Sequence, residues 1–220
     1  MPTPAASATP AAPATARKQL LASLYAVRDA LDALIYNKEA LASIEHGAQL
    51  LAQTFARGGR VHACGSGAAI LAAMHFADEL ARRQGGAMHG LPVQAVSDIV
   101  QTGSLADTLG YDRIYSRYVL SQCLPGDCLV AFSATGKNAS VLNAAVSAKE
   151  RGMTVLAVTS APSSELQLLA DVGIGAGTGE ATAPSHELHA AVIRVLVELT
   201  EREVFPGNFE LPDDGTQLIS

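Results

Sequence analysis

Apolar residues recur at helical spacing from Lys18 to Phe55. The positions are Leu20, Leu21, Leu24, Val27, Leu31, Leu34 and Ile35, then Leu41, Ile44, Leu50 and Leu51. A three-to-four residue period of this kind predicts a long helix and a second one, ended by Gly58-Gly59. Beyond that point the pattern changes. Short apolar runs at Val61–Cys64, Val93–Val96, Cys128–Phe132, Thr154–Thr159 and Val172–Ile174 predict strands. Between them, helical periodicity covers Ala68–Arg83, Asp112–Gln122, Asn138–Glu150, Ser164–Leu169 and Pro184–Glu203. Strands alternating with helices, and apolar on both faces, predict a parallel sheet sandwiched by helices: an α/β doubly wound domain.

The ends of the chain break this pattern. Residues 1–16 are rich in alanine and proline without any period, which predicts a disordered tail. Residues 17–204 then form a single domain, with N-terminal helices over 17–57 and the α/β core over 60–204. Residues 205–220 read as an extended C-terminal arm.

Composition narrows the picture further. Charged residues make up only 16% of the chain, against about 25% in ordinary globular domains. So little surface charge points to faces covered by partner subunits, hence a homo-oligomer. A net charge of −6 argues against a nucleic-acid-binding surface, which would show basic clustering. No apolar run approaches the roughly 18–20 residues that span a bilayer, and the first residues lack the apolar core of a secretory signal. Three cysteines without a CxxC pair suit the reducing cytoplasm.

Two strand–turn–helix units carry the candidate chemistry. Cys64-Gly-Ser-Gly-Ala-Ala and Phe132-Ser-Ala-Thr-Gly-Lys-Asn-Ala-Ser each set small or hydroxyl-bearing residues where a strand's carboxyl end meets a helix N-terminus. Free backbone N–H groups and the positive end of a helix dipole collect there, which suits an anion. Ser66, Gly67, Ser133, Thr135 and Asn138 are therefore candidate phosphate contacts. Neither unit matches GxxxxGK[ST] or GxGxxG, so no nucleotide cofactor is expected. On the following helix His75 and Glu79 stand at i and i+4, where both side chains reach one point.

The stretch MHFADEL at 74–80, SDI at 97–99, YDRIYSRYV at 111–119 and GDCLVAFSATGKNASVLNAA at 126–145 closely resembles the phosphoheptose isomerases, a family of SIS-domain (sugar isomerase) proteins. The resemblance implies a SIS-type sandwich with a five-stranded parallel sheet, homotetramers built through the N-terminal helices, and active sites between subunits. It implies a phosphorylated sugar as ligand, converted from sedoheptulose 7-phosphate to D-glycero-D-manno-heptose 7-phosphate or between a related ketose and aldose pair. Glu79 matches the family's base, His75 a histidine that ligates metal or the sugar oxygens, and Arg83 an arginine that contacts substrate.

Departures from the family pattern leave a second reading open. Ala69 stands where the family has a phosphate-contacting serine, Ser66 where it has an asparagine, and Asn138 where it has a serine. In the last helix, His186 replaces a glutamine that can ligate metal. Arg194 takes the place of the acid histidine, and arginine stays protonated at ordinary pH. Arg194 can hold a phosphate or stabilise an enediolate, but it cannot exchange a proton as a general acid, and it could instead pair with Glu79. His75, Glu79 and His186 make a candidate zinc set, since imidazole and carboxylate suit that ion. The alternative is a hydrogen-bonded His/Glu/Arg cluster without metal. The same resemblance extends to non-catalytic regulators that associate with the DnaA replication initiator, a branch suggested by the Val204-Phe205-Pro206 ending, and to sugar-phosphate sensors.

Overall fold

The computed structural model describes residues 13–82, 90–177 and 184–208. Helix α1 (Pro13–Ile35) runs four residues further towards the N-terminus than the sequence pattern predicts. Residues 13–16 of the expected tail are thus helical. A proline fits a helix's first turn, where its missing N–H is not needed, and the alanines after it are strong helix formers. The call for disorder over 1–12 lies outside the described residues, as does the arm over 209–220. Residues 206–208 of that arm form a short 3-10 turn.

Helix α2 (Lys38–Ala56) begins where the Asn37 side chain accepts from Ala40 N at 3.0 Å, a side-chain cap that separates it from α1. Then follow β1 (Val61–Gly65), α3 (Ala69–Ala81), β2 (Val93–Ala95), α4 (Ile99–Leu109), α5 (Ile114–Gln122), β3 (Cys128–Ser133), α6 (Ala139–Glu150), β4 (Thr154–Thr159), α7 (Glu165–Leu169), β5 (Val172–Gly175) and α8 (Ser185–Val204). Every predicted strand is present within a residue of its expected bounds. Helix α4 was not predicted: it is capped by Asp98, fully buries no side chain and packs only Leu105 and Ala106 partly against the core, a stripe too short to read.

The five strands form one parallel sheet in the order β2-β1-β3-β4-β5. The chain moves outward from β1 to β2, then returns across the sheet to β3. The direction of winding therefore reverses between β1 and β3, the place where open α/β sheets take their ligands. Leu51, Phe76, Phe132, Leu156, Ile174 and Leu196 join α2, α3 and α8 to one face. Leu129, Val155, Ile114, Val119 and Leu166 join α5, α6 and α7 to the other. Neighbouring residues of β3 and β4 thus point into different cores, and both strands read as unbroken apolar runs for that reason.

α1 buries Leu34 in this core and packs Ala30 and Leu31 against it, leaving Leu20, Leu24 and Tyr25 exposed. Among the described residues no helix is long and apolar enough to cross a membrane.

Candidate active site

The two loops expected to hold an anion emerge side by side. β1 and β3 are hydrogen-bonded neighbours with Gly65 opposite Phe132, so Ser66 and Ser133 leave adjacent strands, which lie about 4.8 Å apart. At β1 the backbone turns so sharply that a Cβ on Gly65 would run into the Ala69 carbonyl, and Gly67 takes a φ of +60°. Ala69 N donates to Ser66 O and Ile70 N to Gly67 O. Among the described residues the Gly67 and Ala68 amides donate to no backbone carbonyl, and α3 has no side-chain cap. Those amides remain for an anion.

The β3 loop is built from its own side chains. Ser133 Oγ, buried, accepts from Gly136 N at 3.0 Å. Thr135 Oγ1 accepts from Lys137 N at 3.4 Å. Asn138 caps α6, accepting from Ser140 N at 3.0 Å and from Ser140 Oγ at 2.6 Å. Both hydroxyls thus use lone pairs to shape the loop, which leaves their hydrogens to donate to a bound oxyanion. The Asn138 carbonyl oxygen is engaged by its cap, so this residue serves the loop through the helix it starts.

On α3, His75 Nε2 lies 3.7 Å from Glu79 Oε1. Glu79 is half-buried, and its cationic partner among the described residues is Arg82, whose guanidinium also meets Asp78 at 3.0 Å. Arg194 is not that partner: it is exposed on α8, as is His186 near the start of the same helix. Arg83 lies outside the described residues. A zinc ion would need at least three donors at one point. Among the described residues no three His, Cys, Asp or Glu side chains converge to hold a metal, so His75, Glu79 and His186 of one chain do not fit the group.

Four residues of the site were not foreseen in this role. Tyr111 and Tyr115 close over the β1 loop: Tyr115 Oη donates to Gly65 O at 2.5 Å, and Tyr111 Oη lies 3.4 Å from Ser66 Oγ. With Gly67, Ile70, Met74 and Thr102 the two tyrosines line a cavity of about 310 Å³. Lys137, exposed, brings a cation to the β3 loop. His189 is buried at 1% exposure against Phe132 and Ser160. Helical spacing marks a tyrosine or histidine as inward-facing but not the loop that its polar atom meets. Cysteine chemistry is absent from this site, since burial pushes the Cys64, Cys123 and Cys128 thiols up to about 12.

Residues 25–160 match the SIS domain family. The chain is 34% identical over 187 residues to the phosphoheptose isomerase of Histophilus somni, a match covering 85% of this chain and 96% of that protein. It is 35% identical over 162 residues to the phosphoheptose isomerase of Salmonella paratyphi B, covering 74% and 84%. The fold is that of the phosphoheptose isomerase structure from Neisseria gonorrhoeae, at a TM-score of 0.74 and 22% identity over 85% of this chain and 97% of that one.

Proposed function

The chain belongs to the SIS-domain family, among the phosphoheptose isomerases, and on that premise we propose that it isomerises a phosphorylated sugar between ketose and aldose forms. Sedoheptulose 7-phosphate is the substrate to test first. One observation carries the reading: two hydroxyl-bearing loops stand side by side where the sheet's winding reverses, and the helix leaving one of them holds the carboxylate of Glu79.

The phosphate is held by the loop amides and by the Ser133 and Thr135 hydroxyls. Glu79 takes the proton from the carbon next to the carbonyl, the electron pair gives an enediolate, and the same carboxylate returns the proton to the neighbouring carbon. Arg82 must first release Glu79. Its side chain is mostly exposed, and an ion pair of that kind is worth about 1 kcal/mol or less. His75, within a turn of Glu79, is the group able to exchange protons with the sugar oxygens. Arg194 is the fixed positive charge available to the oxyanion, and it serves without giving up its proton. Among the described residues one chain does not assemble a metal donor set, and Glu79 and His75 carry the proton transfers themselves.

The reading includes a cytoplasmic homotetramer. Leu20, Leu24 and Tyr25 on α1, with Leu71 and Met74 on α3 and Val195 on α8, are apolar and exposed. Partner copies that cover these faces would bring α3 and α8 to subunit boundaries, where a second chain could complete the site. The initiator-associating regulator is the less favoured reading, since the relatives compared above are isomerases.

The test is proton exchange in deuterated water. Protein is incubated with sedoheptulose 7-phosphate, and deuterium entering the carbon beside the carbonyl is followed by NMR. Incorporation above a Glu79→Gln control is expected. A bound sugar phosphate that exchanges no proton would replace the isomerase with a sensor.

A further inference from the structure

His189 stands on α8, three residues after His186, and does not face solvent. Its ring packs edge-on against Phe132 at 6.0 Å, beside Ser133 of the phosphate loop. Its Nε2 lies 3.4 Å from Ser160 Oγ, and its Nδ1 is buried with no hydrogen-bond partner among the described residues. Burial holds this imidazole neutral, so one ring nitrogen carries the proton and the other does not. An orphaned buried N–H is rarer in proteins than an orphaned acceptor. The arrangement therefore assigns the proton to Nε2, which donates to Ser160, and leaves a bare lone pair on Nδ1.

Ser160 is the joint where three parts of the site meet. Ser160 N and Ala161 N both donate to Ala134 O, at 3.1 Å each, and Ala134 is the second residue of the β3 loop. Ser160 itself directly follows β4. A Cβ on Gly177 would come within 2.6 Å of Ser160 O, so the chain after β5 presses on the same point.

We propose that His189 is a positioning residue for the phosphate loop: it fixes Ser160, whose backbone in turn fixes Ala134 and the Ser133 and Thr135 hydroxyls. The inference rests on the sugar-phosphate reading above but acts on binding alone. Losing His189 should weaken phosphate capture without altering proton transfer at Glu79.

The experiment measures inorganic phosphate affinity by calorimetry, and KM and kcat with sedoheptulose 7-phosphate, in the full-length protein. His189→Leu and Ser160→Ala should each raise the phosphate Kd and the sugar-phosphate KM about tenfold, as expected for one lost hydrogen bond, while kcat stays within about twofold. His189→Gln, whose amide can reach the place of Nε2, should recover most of the affinity. In the double variant the losses should not multiply, because both changes cut one connection. Unchanged phosphate affinity in a folded His189→Leu or Ser160→Ala protein would overturn the proposal. So would an equal fall in kcat, or losses that multiply. Should His189→Leu fail to fold, Ser160→Ala and His189→Gln decide the matter. Phosphate binding is read without turnover, so a wrong choice of sugar leaves this test intact.

Discussion

The two ends of the parallel sheet are built from different residue types and spend their hydrogen-bonding capacity in opposite ways. At the amino end, Asp127 Oδ1 accepts from Arg60 N at 2.8 Å, while Oδ2 accepts from Leu124 N at 2.8 Å and faces His62 Nε2 at 3.3 Å. A carboxylate can only accept, so His62 carries its proton on Nε2. Its Nδ1 then accepts from Tyr118 Oη at 3.2 Å. Every polar atom of this buried set has a partner, and the set closes on itself. At the carboxyl end, Ser133, Thr135 and Ser66 use part of their capacity on their own loops, and loop amides remain over. A histidine, an acid and a tyrosine are thus a clamp at one end, while plain serines and glycines are a receptor at the other. What separates structure from function here is whether hydrogen-bonding capacity is left unspent.

Variants at the two ends should separate accordingly. The largest effect belongs to Glu79→Gln, expected to lower turnover about a thousandfold, within the range for loss of a general base, while inorganic phosphate affinity holds. Isotope exchange and calorimetry on one preparation check both halves. Equal loss of binding would mean that Glu79 maintains the loop rather than the chemistry.

At the opposite end, Asp127→Asn places an amide N–H₂ where donors now point. It should destabilise the fold by about 3 kcal/mol, from two buried donors left unmatched. Urea denaturation measures that, and the folded fraction should retain its activity. Lost activity at unchanged stability would erase the distinction between the two ends.

Acid should weaken the fold through both buried histidines. Burial lowers the His62 pKa, and it lowers that of His189 from 6.5 to about 4. The unfolded chain therefore binds these protons more readily than the folded one. Both contributions are fully present above pH 6.5 and decline below it; for His189 the loss amounts to about 3 kcal/mol as pH falls towards 4. Denaturation midpoints between pH 7 and pH 4 should show this slope, and His189→Gln should flatten it.

The smallest change is Ser133→Ala, which removes the hydroxyl that accepts from Gly136 N. A rise of about fivefold in the sugar-phosphate KM with kcat retained is expected. A fall in kcat instead would give Ser133 a part in the chemistry.

Much of the fold was legible in the residues because it depends on local period. The alternating strands and helices follow from apolar spacing, and the all-parallel sheet from runs such as Cys128–Phe132 that are apolar on both faces. Helix α4 was not legible because it packs only Leu105 and Ala106, each partly, against the core and leaves Ile99, Val100 and Leu109 exposed. Part of the site was legible too, since Gly65, Gly67 and Gly136 mark turns that other residues resist. Its wiring was not. Tyr115 reaches a carbonyl 50 residues away and His189 a hydroxyl 29 residues away, and no period encodes such meetings.

The sequence by itself determined the strands, every helix but α4, their order, the two small-residue loops and the family, all of which rest on neighbouring positions along the chain. Only the tertiary structure decided that β1 and β3 stand side by side, that Glu79 is held by Arg82 rather than Arg194, and that no three metal-binding side chains converge among the described residues. Those outcomes depend on how packed helices bring distant residues together, and packing is a property of the whole core.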